Sequence, residues 1–340
     1  MKKSIQKFTL TAATLVSIST YADPVILKIA HFLPPTSGVQ VKVIQPWCDT
    51  IQKESAGQLK CQIYPAMQLG GTPAQLVDQV KNGVADIVWT APGYSAGRFP
   101  TIEAMELPFV VTDAVSGSKA AWAFYQKNAQ KEFDAYKVLA LHVDGGMVAH
   151  TARKPISNMA SLAGLKLRAS TRMVSKLLQT MGATPVNMPP AQVTEAISKG
   201  VVDGAMASWE VVMPTKLAEV AEFHTEPAAG KPIFSTTVLS LLMNKQKYNS
   251  LPANLKAIID KNSGAPLVAN FGKAFGDTIT DTKKQVAASK GKIIVLAPTD
   301  YDAMRKTAQT FENEWIKDVT AKGMNGKQLA ADAHAFALKP

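Results

Sequence analysis

The sequence predicts an α/β protein built as two lobes, and three observations carry that expectation. Strand and helix signals alternate along the chain, the rhythm of sheets joined by crossover helices. The alternating block occurs twice, with Gly145-Gly146 as a natural hinge between the two halves. The 340 residues, 46% of them hydrophobic, are enough for about two cores of roughly 100 to 200 residues each.

The first element is an export signal over residues 1–22. Lys2, Lys3 and Lys7 precede a mostly apolar run from Phe8 to Ile18, and Thr20-Tyr21-Ala22 supplies small residues for cleavage before Asp23. That run is too short and too rich in Thr and Ser to anchor the chain, no later segment approaches the apolar length of a membrane span, and an exported soluble protein is expected. Strands follow at Val25 to Phe32 and Leu59 to Tyr64, with a helix from Val39 to Ser55 between them. A helix from Pro73 to Asn82 leads to a strand over Asp86 to Trp89. After a stretch punctuated by Gly and Pro come a helix from about Asp113 to Ala135 and a strand from Lys137 to Val143. The second block predicts strands at Met147 to Thr151, Leu165 to Ala169, Thr184 to Asn187 and Gly204 to Ala207. Helices from Thr171 to Met181 and from Pro190 to Lys199 separate the last three. Thr236 to Met243 is a strand by its β-branched content, and Leu251 to Ser289 is mostly helix, broken near Gly264 to Pro266. A strand over Lys292 to Leu296 and a helix from about Asp300 to Ala321 complete the pattern.

Composition excludes several classes. There is no collagen-like, disordered or solenoid signature. The formal charge of +11 is spread without a block of five or six like charges, so nucleic acid is not an expected partner and anionic ligands suit the chain weakly. Two cysteines, Cys48 on a predicted helix and Cys61 on the next strand, either form one disulfide in an oxidising compartment or pack as small apolar residues. The five histidines are scattered without the spacing of metal ligands, and neither a metal nor another cofactor is expected. An enzyme would need a nucleophile with its base or a phosphate loop, and the Gly-x-Ser-x-Gly, Gly-x-Gly-x-x-Gly and Walker patterns do not occur. No catalytic role is expected.

Several motifs, taken in order, carry a resemblance. They are Ala30-His31-Phe32, Tyr64-Pro65 through Gln68-Leu69-Gly70-Gly71, Gly83-Val84-Ala85-Asp86-Ile87 and Glu106-Leu107-Pro108-Phe109. Further along stand Gly164-Leu165-Lys166-Leu167-Arg168, Gly200-Val201-Val202-Asp203-Gly204, and Met243-Asn244-Lys245 with Tyr248 and Leu251-Pro252. Across nearly the whole mature chain this order and spacing resemble the DctP-type solute-binding subunits of tripartite ATP-independent periplasmic (TRAP) transporters. The resemblance implies a two-lobed periplasmic binding protein fold with a ligand cleft between the lobes and a long bridging helix toward the C-terminus. It also implies a periplasmic monomer that closes on a small organic acid and delivers it to membrane subunits driven by an ion gradient. Lobe I is expected over 23–145 with about 234–272, lobe II over 146–233 with about 273–322, and a C-terminal tail over 323–340. Presentation of the ligand to a membrane sensor, or service to an ATP-driven importer, are the rival roles for the same architecture.

Arg168 is the first candidate for ligand binding. It ends a strand just before a helix, where open α/β sheets bind ligands, and its planar fork matches a carboxylate; a surface ion pair is the alternative. The family motif, in which the Arg of this strand clamps the substrate carboxylate, implies the first role. Ser170 and Thr171 either cap the next helix or donate to the ligand. Family members that bind sialic acid carry a second Arg on the preceding strand, at a position that falls on Met147 here, with His150 a candidate if the count slips. One cation and an apolar partner imply a monocarboxylate with an aromatic or short hydroxy or keto body. Trp89 and Trp209, each at a strand's carboxyl end, are candidates to sandwich a flat ligand, with Tyr94 beyond the first; core packing is the alternative. Glu210 could accept from a ligand hydroxyl, repel a second carboxylate, or sit in a solvated ion pair. Phe32 and Phe234, where segments cross between lobes, are apolar candidates, and His31 is either a pocket donor or a buried imidazole.

Overall fold

The structure is a computed structural model that describes residues 23–338. The expected export signal lies outside the described residues. Eleven strands form two sheets among the described residues. The first sheet contains β1 (Val25–His31), β2 (Leu59–Tyr64), β3 (Ile87–Thr90) and β4 (Tyr136–Val143). The second contains β5 (Met147–Thr151), β6 (Lys166–Ala169), β7 (Thr184–Asn187), β8 (Gly204–Ser208) and β9 (Phe223–Glu226). The chain then returns to the first sheet with β10 (Val238–Asn244) and to the second with β11 (Lys292–Val295).

The first sheet has the order β2-β1-β3-β10-β4, and β10 runs antiparallel to both its neighbours. Every residue of β10 is buried, as expected of a strand covered on both faces, and its apolar run Val238-Leu239-Ser240-Leu241-Leu242-Met243 is the sequence signature of that position. The second sheet has the order β11-β9-β5-β8-β6-β7, with β6 parallel to β8 and β5 antiparallel to β8. Parallel β6 and β8 therefore bring their carboxyl ends to the same side.

The two lobes are joined where 143–147 and 235–238 cross together. Met147 N–H donates to Ser235 O at 2.7 Å and Asp144 N–H to Thr237 O at 3.1 Å. Gly145 and Gly146 have φ of +83° and +105°, and a Cβ on Gly146 would lie 2.6 Å from the Ile233 side chain. Only glycine meets both the backbone and the space requirement there. The helix Ala265–Ala287 bridges the lobes: Phe271 stacks on His142 of β4 at 4.0 Å, while Lys283 near its other end pairs with Glu226 of β9 at 2.6 Å.

The expected strands and helices are present, with ends shifted by a few residues. Cys48, on the helix Gln45–Glu54, is bonded to Cys61 on β2 across a Cα–Cα distance of 5.7 Å, so the disulfide alternative holds. Some elements were not expected, among them the helix Lys245–Ser250 and the turn Trp209–Val212, and two others bear on the fold. β9 is a short strand, Phe-His-Thr-Glu, with a weak pattern, and the expected tail over 323–340 contains the helix Gly326–Ala337. That helix buries Leu329, Ala330 and Ala333 and packs on the helix Ala114–Phe124 of the first lobe. No described helix is long and apolar enough to cross a membrane.

Candidate functional site

Arg168 is the second residue from the end of β6, at the position where the sheet turns into the helix Arg172–Thr180. Its side chain is 2% exposed. Two backbone carbonyls hold it: Nε–H donates to Met188 O at 3.0 Å and Nη1–H to Met206 O at 3.1 Å. Nη2 is buried and has no hydrogen-bond partner among the described residues. Burial pulls the guanidinium below its ordinary pKa, and the nearby Tyr94 hydroxyl and Asp144 carboxylate oppose that pull. The result is a fixed cation with N–H capacity to spare, a costly arrangement unless an acceptor uses it.

Arg168 lines a cavity between the lobes together with Phe32, Trp89, Tyr94, Met147, Ser170 and Glu210. Seven of the expected site residues thus meet at one place. The aromatic wall comes from the first lobe: Phe32 stacks on Trp89 at 4.8 Å and meets Tyr94 edge-on at 5.4 Å, and Trp89 Nε1–H donates to His142 Nε2 at 3.0 Å. Met147 and Ser170 come from the second lobe, with Ser170 Oγ 3.6 Å from Met147 Sδ. Thr171 takes the capping role instead, accepting from Val174 N–H at 3.3 Å. The cavity measures about 20 Å³, close to the room for one or two waters. A ring can enter only when the lobes part. Just outside it, a hollow of about 220 Å³ lies between Pro73 and Ala74 of one lobe and Met188 and Pro189 of the other, sharing Tyr94 and Ser170 with the inner space. A larger groove of about 490 Å³ between Trp47 and Lys273 lies on the outer face of the first lobe, away from Arg168.

Glu210 follows β8 and is 4% exposed. Ser208 Oγ–H donates to its Oε1 at 3.1 Å, and burial together with the neighbouring Asp144 charge pushes its pKa up to about 8. Burial thus favours its protonated form, and buried with Ser208 as its partner it is not the solvated ion pair that the sequence allowed. Asp144 also lines the cavity, and its carboxyl accepts from Thr236 Oγ1 at 2.7 Å and Gly146 N–H at 2.9 Å; burial raises its pKa.

Four expected residues are elsewhere. Trp209 does not line the cavity. A short helical turn begins there, and its ring is turned toward β9, where Nε1–H donates to Glu226 at 2.9 Å, the ring tilts over His224, and the Lys283 ammonium lies 5.6 Å from its centroid. The aromatic sandwich with one Trp per lobe is thus replaced by an aromatic wall on one side. His150 faces the same core, its Nδ1 2.7 Å from His224 Nδ1, so Met147 and not His150 occupies the cavity position. His31 is a buried imidazole 2.8 Å from Gln40 Oε1, with its pKa lowered to about 4 by burial. Phe234 packs edge-on against Phe109 at 6.0 Å.

Asp144, Pro190, Ser208, Val211, Thr237 and Leu239 line the cavity without having been expected. Asp144 had a signal in its position beside the diglycine, since a crossing segment passes the cleft. Ser208 had one in standing between the expected strand Gly204 to Ala207 and Glu210. Thr237 and Leu239 lie inside an apolar run that reads as core.

Comparison with known proteins bears on what such a cavity serves. The family model for bacterial extracellular solute-binding protein, family 7 (DctP), matches residues 29–318. A crystal structure of a TRAP solute-binding protein from Rhodoferax ferrireducens, in complex with copurified benzoate, is similar with a TM-score of 0.90 and 42% identity, covering 92% of this chain and 97% of that one. A marine metagenome TRAP solute-binding protein from an unidentified microbe, specific for aromatic acid ligands and bound to 3-hydroxybenzoate, gives a TM-score of 0.90 and 38% identity over 93% and 98% of the two chains. Among curated sequences, TsaT of Comamonas testosteroni, an outer membrane transporter protein, is 26% identical over 94% of both chains.

Proposed function

The chain belongs to the bacterial extracellular solute-binding proteins of family 7, the DctP solute-binding proteins of TRAP transporters, and from that premise we propose that it captures an aromatic monocarboxylate in the periplasm for a membrane permease. Proteins of this family bind solutes for transport and are not enzymes. The observation that carries the reading is Arg168 Nη2, buried and without a partner beside an aromatic wall. The ligand carboxylate docks on the Arg168 fork, its ring packs against Phe32 and Tyr94, and the lobes close over it. A second carboxylate has no second cation to meet, because Met147 stands where one would be needed. Burying that charge unpaired costs several kcal/mol, about what a ring's apolar contact contributes or more. The similarity to relatives that hold benzoate and 3-hydroxybenzoate supports the same class. The acid is then released to TRAP membrane subunits driven by an ion gradient, the delivery step that the family membership implies.

Calorimetric titration of the purified protein with benzoate, 3-hydroxybenzoate, mandelate, lactate, pyroglutamate, succinate and sialic acid tests the class. Binding is expected for the aromatic monocarboxylates and not for succinate or sialic acid. Tight binding of succinate or sialic acid, with silence from every monocarboxylate, would overturn the proposal.

A further inference from the structure

Glu210 is one of the polar groups of the cavity that anchoring a carboxylate on Arg168 leaves unused. Arg168 and Glu210 are delivered by β6 and β8, which are hydrogen-bonded neighbours and run parallel, so both side chains arrive at the same end of the sheet. Arg168 lies opposite Ala205 of β8, and Glu210 follows five residues later in the turn beyond that strand's carboxyl end, where both side chains line the one cavity. Ser208 Oγ–H occupies only Oε1 of Glu210, at 3.1 Å, and no other hydrogen bond to that carboxyl is found among the described residues. Both residues line the cavity and are less than a twentieth exposed.

We propose that Glu210, held by Ser208, is a specificity-determining contact that selects aromatic acids bearing a ring hydroxyl over the unsubstituted acid. This rests on the reading of the cleft as an aromatic monocarboxylate site and goes beyond it by naming the subclass. With Arg168 fixing the carboxylate end of the ring, the Glu210 oxygen not taken by Ser208 is left for a substituent elsewhere on it. A neutral carboxyl offers both a donor and an acceptor, as a phenolic hydroxyl does, so the two can satisfy each other in either direction. An unsubstituted ring leaves that oxygen desolvated and unpaired, the situation in which sites built around a hydroxyl reject the analogue lacking it. An ortho hydroxyl bonds to its own carboxylate and gains nothing, whereas a meta or para hydroxyl is free to reach across.

Titration of the wild type with benzoate, 2-, 3- and 4-hydroxybenzoate and 3-methylbenzoate is the test, because a methyl matches the hydroxyl in size but forms no hydrogen bond. At least one of the 3- and 4-hydroxy acids is expected to bind about tenfold or more tightly than benzoate, with the methyl and 2-hydroxy acids near benzoate. In Glu210→Met, checked for folding by thermal unfolding, the ratio of hydroxybenzoate to benzoate affinity is expected to collapse toward one, whatever the change in benzoate affinity itself. Equal wild-type affinity for benzoate and both the 3- and 4-hydroxy acids, a methyl acid as tight as the hydroxy acid, or an unchanged preference in Glu210→Met would each overturn the proposal. Equal affinities would overturn it without touching the broader reading, whereas a wild type that bound none of these acids would overturn both.

Discussion

At the scale of single residues, Arg168 carries the largest expected effect. Its replacement by Ala should weaken aromatic acid binding by about 2 to 5 kcal/mol, because a desolvated charge pair loses one member. Lys restores charge without the fork and should recover only part of that loss. Calorimetry on the two variants checks both statements. A second expectation follows from the buried carboxyls. Glu106 accepts from Val238 N–H at 3.0 Å and lies behind the cavity, and burial pushes its pKa, like that of Glu210, up to about 8. The unfolded chain ionises these groups near pH 4.5, so the stability they contribute is complete below that pH and lost as the pH climbs to about 8. The buried histidines, with pKa values lowered to about 3 or 4, act in the opposite direction but only below about pH 6.5. Unfolding free energy should therefore fall between pH 6.5 and 8 by about 1 kcal/mol per pH unit for each of the two carboxyls, and Glu210→Gln should reduce that slope. Chemical denaturation at several pH values measures it, and a slope that is flat or positive across this window would contradict the protonated state assigned to Glu210.

At the scale of elements, the disulfide ties the helix Gln45–Glu54 to β2 at the edge of the first sheet. Closing a loop of this length restricts the unfolded chain, and replacing both cysteines by Ala should cost about 3 kcal/mol, read from denaturant midpoints. Most elements were legible because strand and helix periods differ and Gly and Pro mark their ends; β10 stood out through its unbroken apolar run. What failed to show has local causes. β9 is four residues long and includes His224 and Glu226, whose burial depends on Trp209 and Lys283 from distant segments. The site was legible where a strand end decides direction, as at Arg168 and Trp89. It was not at Trp209, because a helical turn begins there and sends consecutive residues to different places: Trp209 toward β9, Glu210 into the cavity. The helix Gly326–Ala337 gives only a weak periodic signal in the sequence because its apolar positions are largely alanine.

At the scale of the whole molecule, the lobes meet around the cavity through polar contacts as well as apolar walls. Arg172, at the start of the helix after β6, pairs with Glu103 of the first lobe, its Nε–H donating at 2.7 Å, and Thr171 Oγ1–H donates to Glu106 at 3.3 Å. These contacts close the cleft down to about 20 Å³, so binding and release both require the crossing segments at 143–147 and 235–238 to flex. A ligand that binds between the lobes shifts the population toward the closed form. The central claim is that an aromatic acid sits in this inner cavity with its carboxylate on Arg168, and a crystal structure of the protein with 3-hydroxybenzoate tests it most directly. The account predicts carboxylate oxygens at about 2.7 to 2.9 Å from the Arg168 guanidinium and the ring against Phe32 and Tyr94. A carboxylate bound away from Arg168, in the outer hollow beside Pro73 and Pro189 or on another face of the molecule, would contradict it.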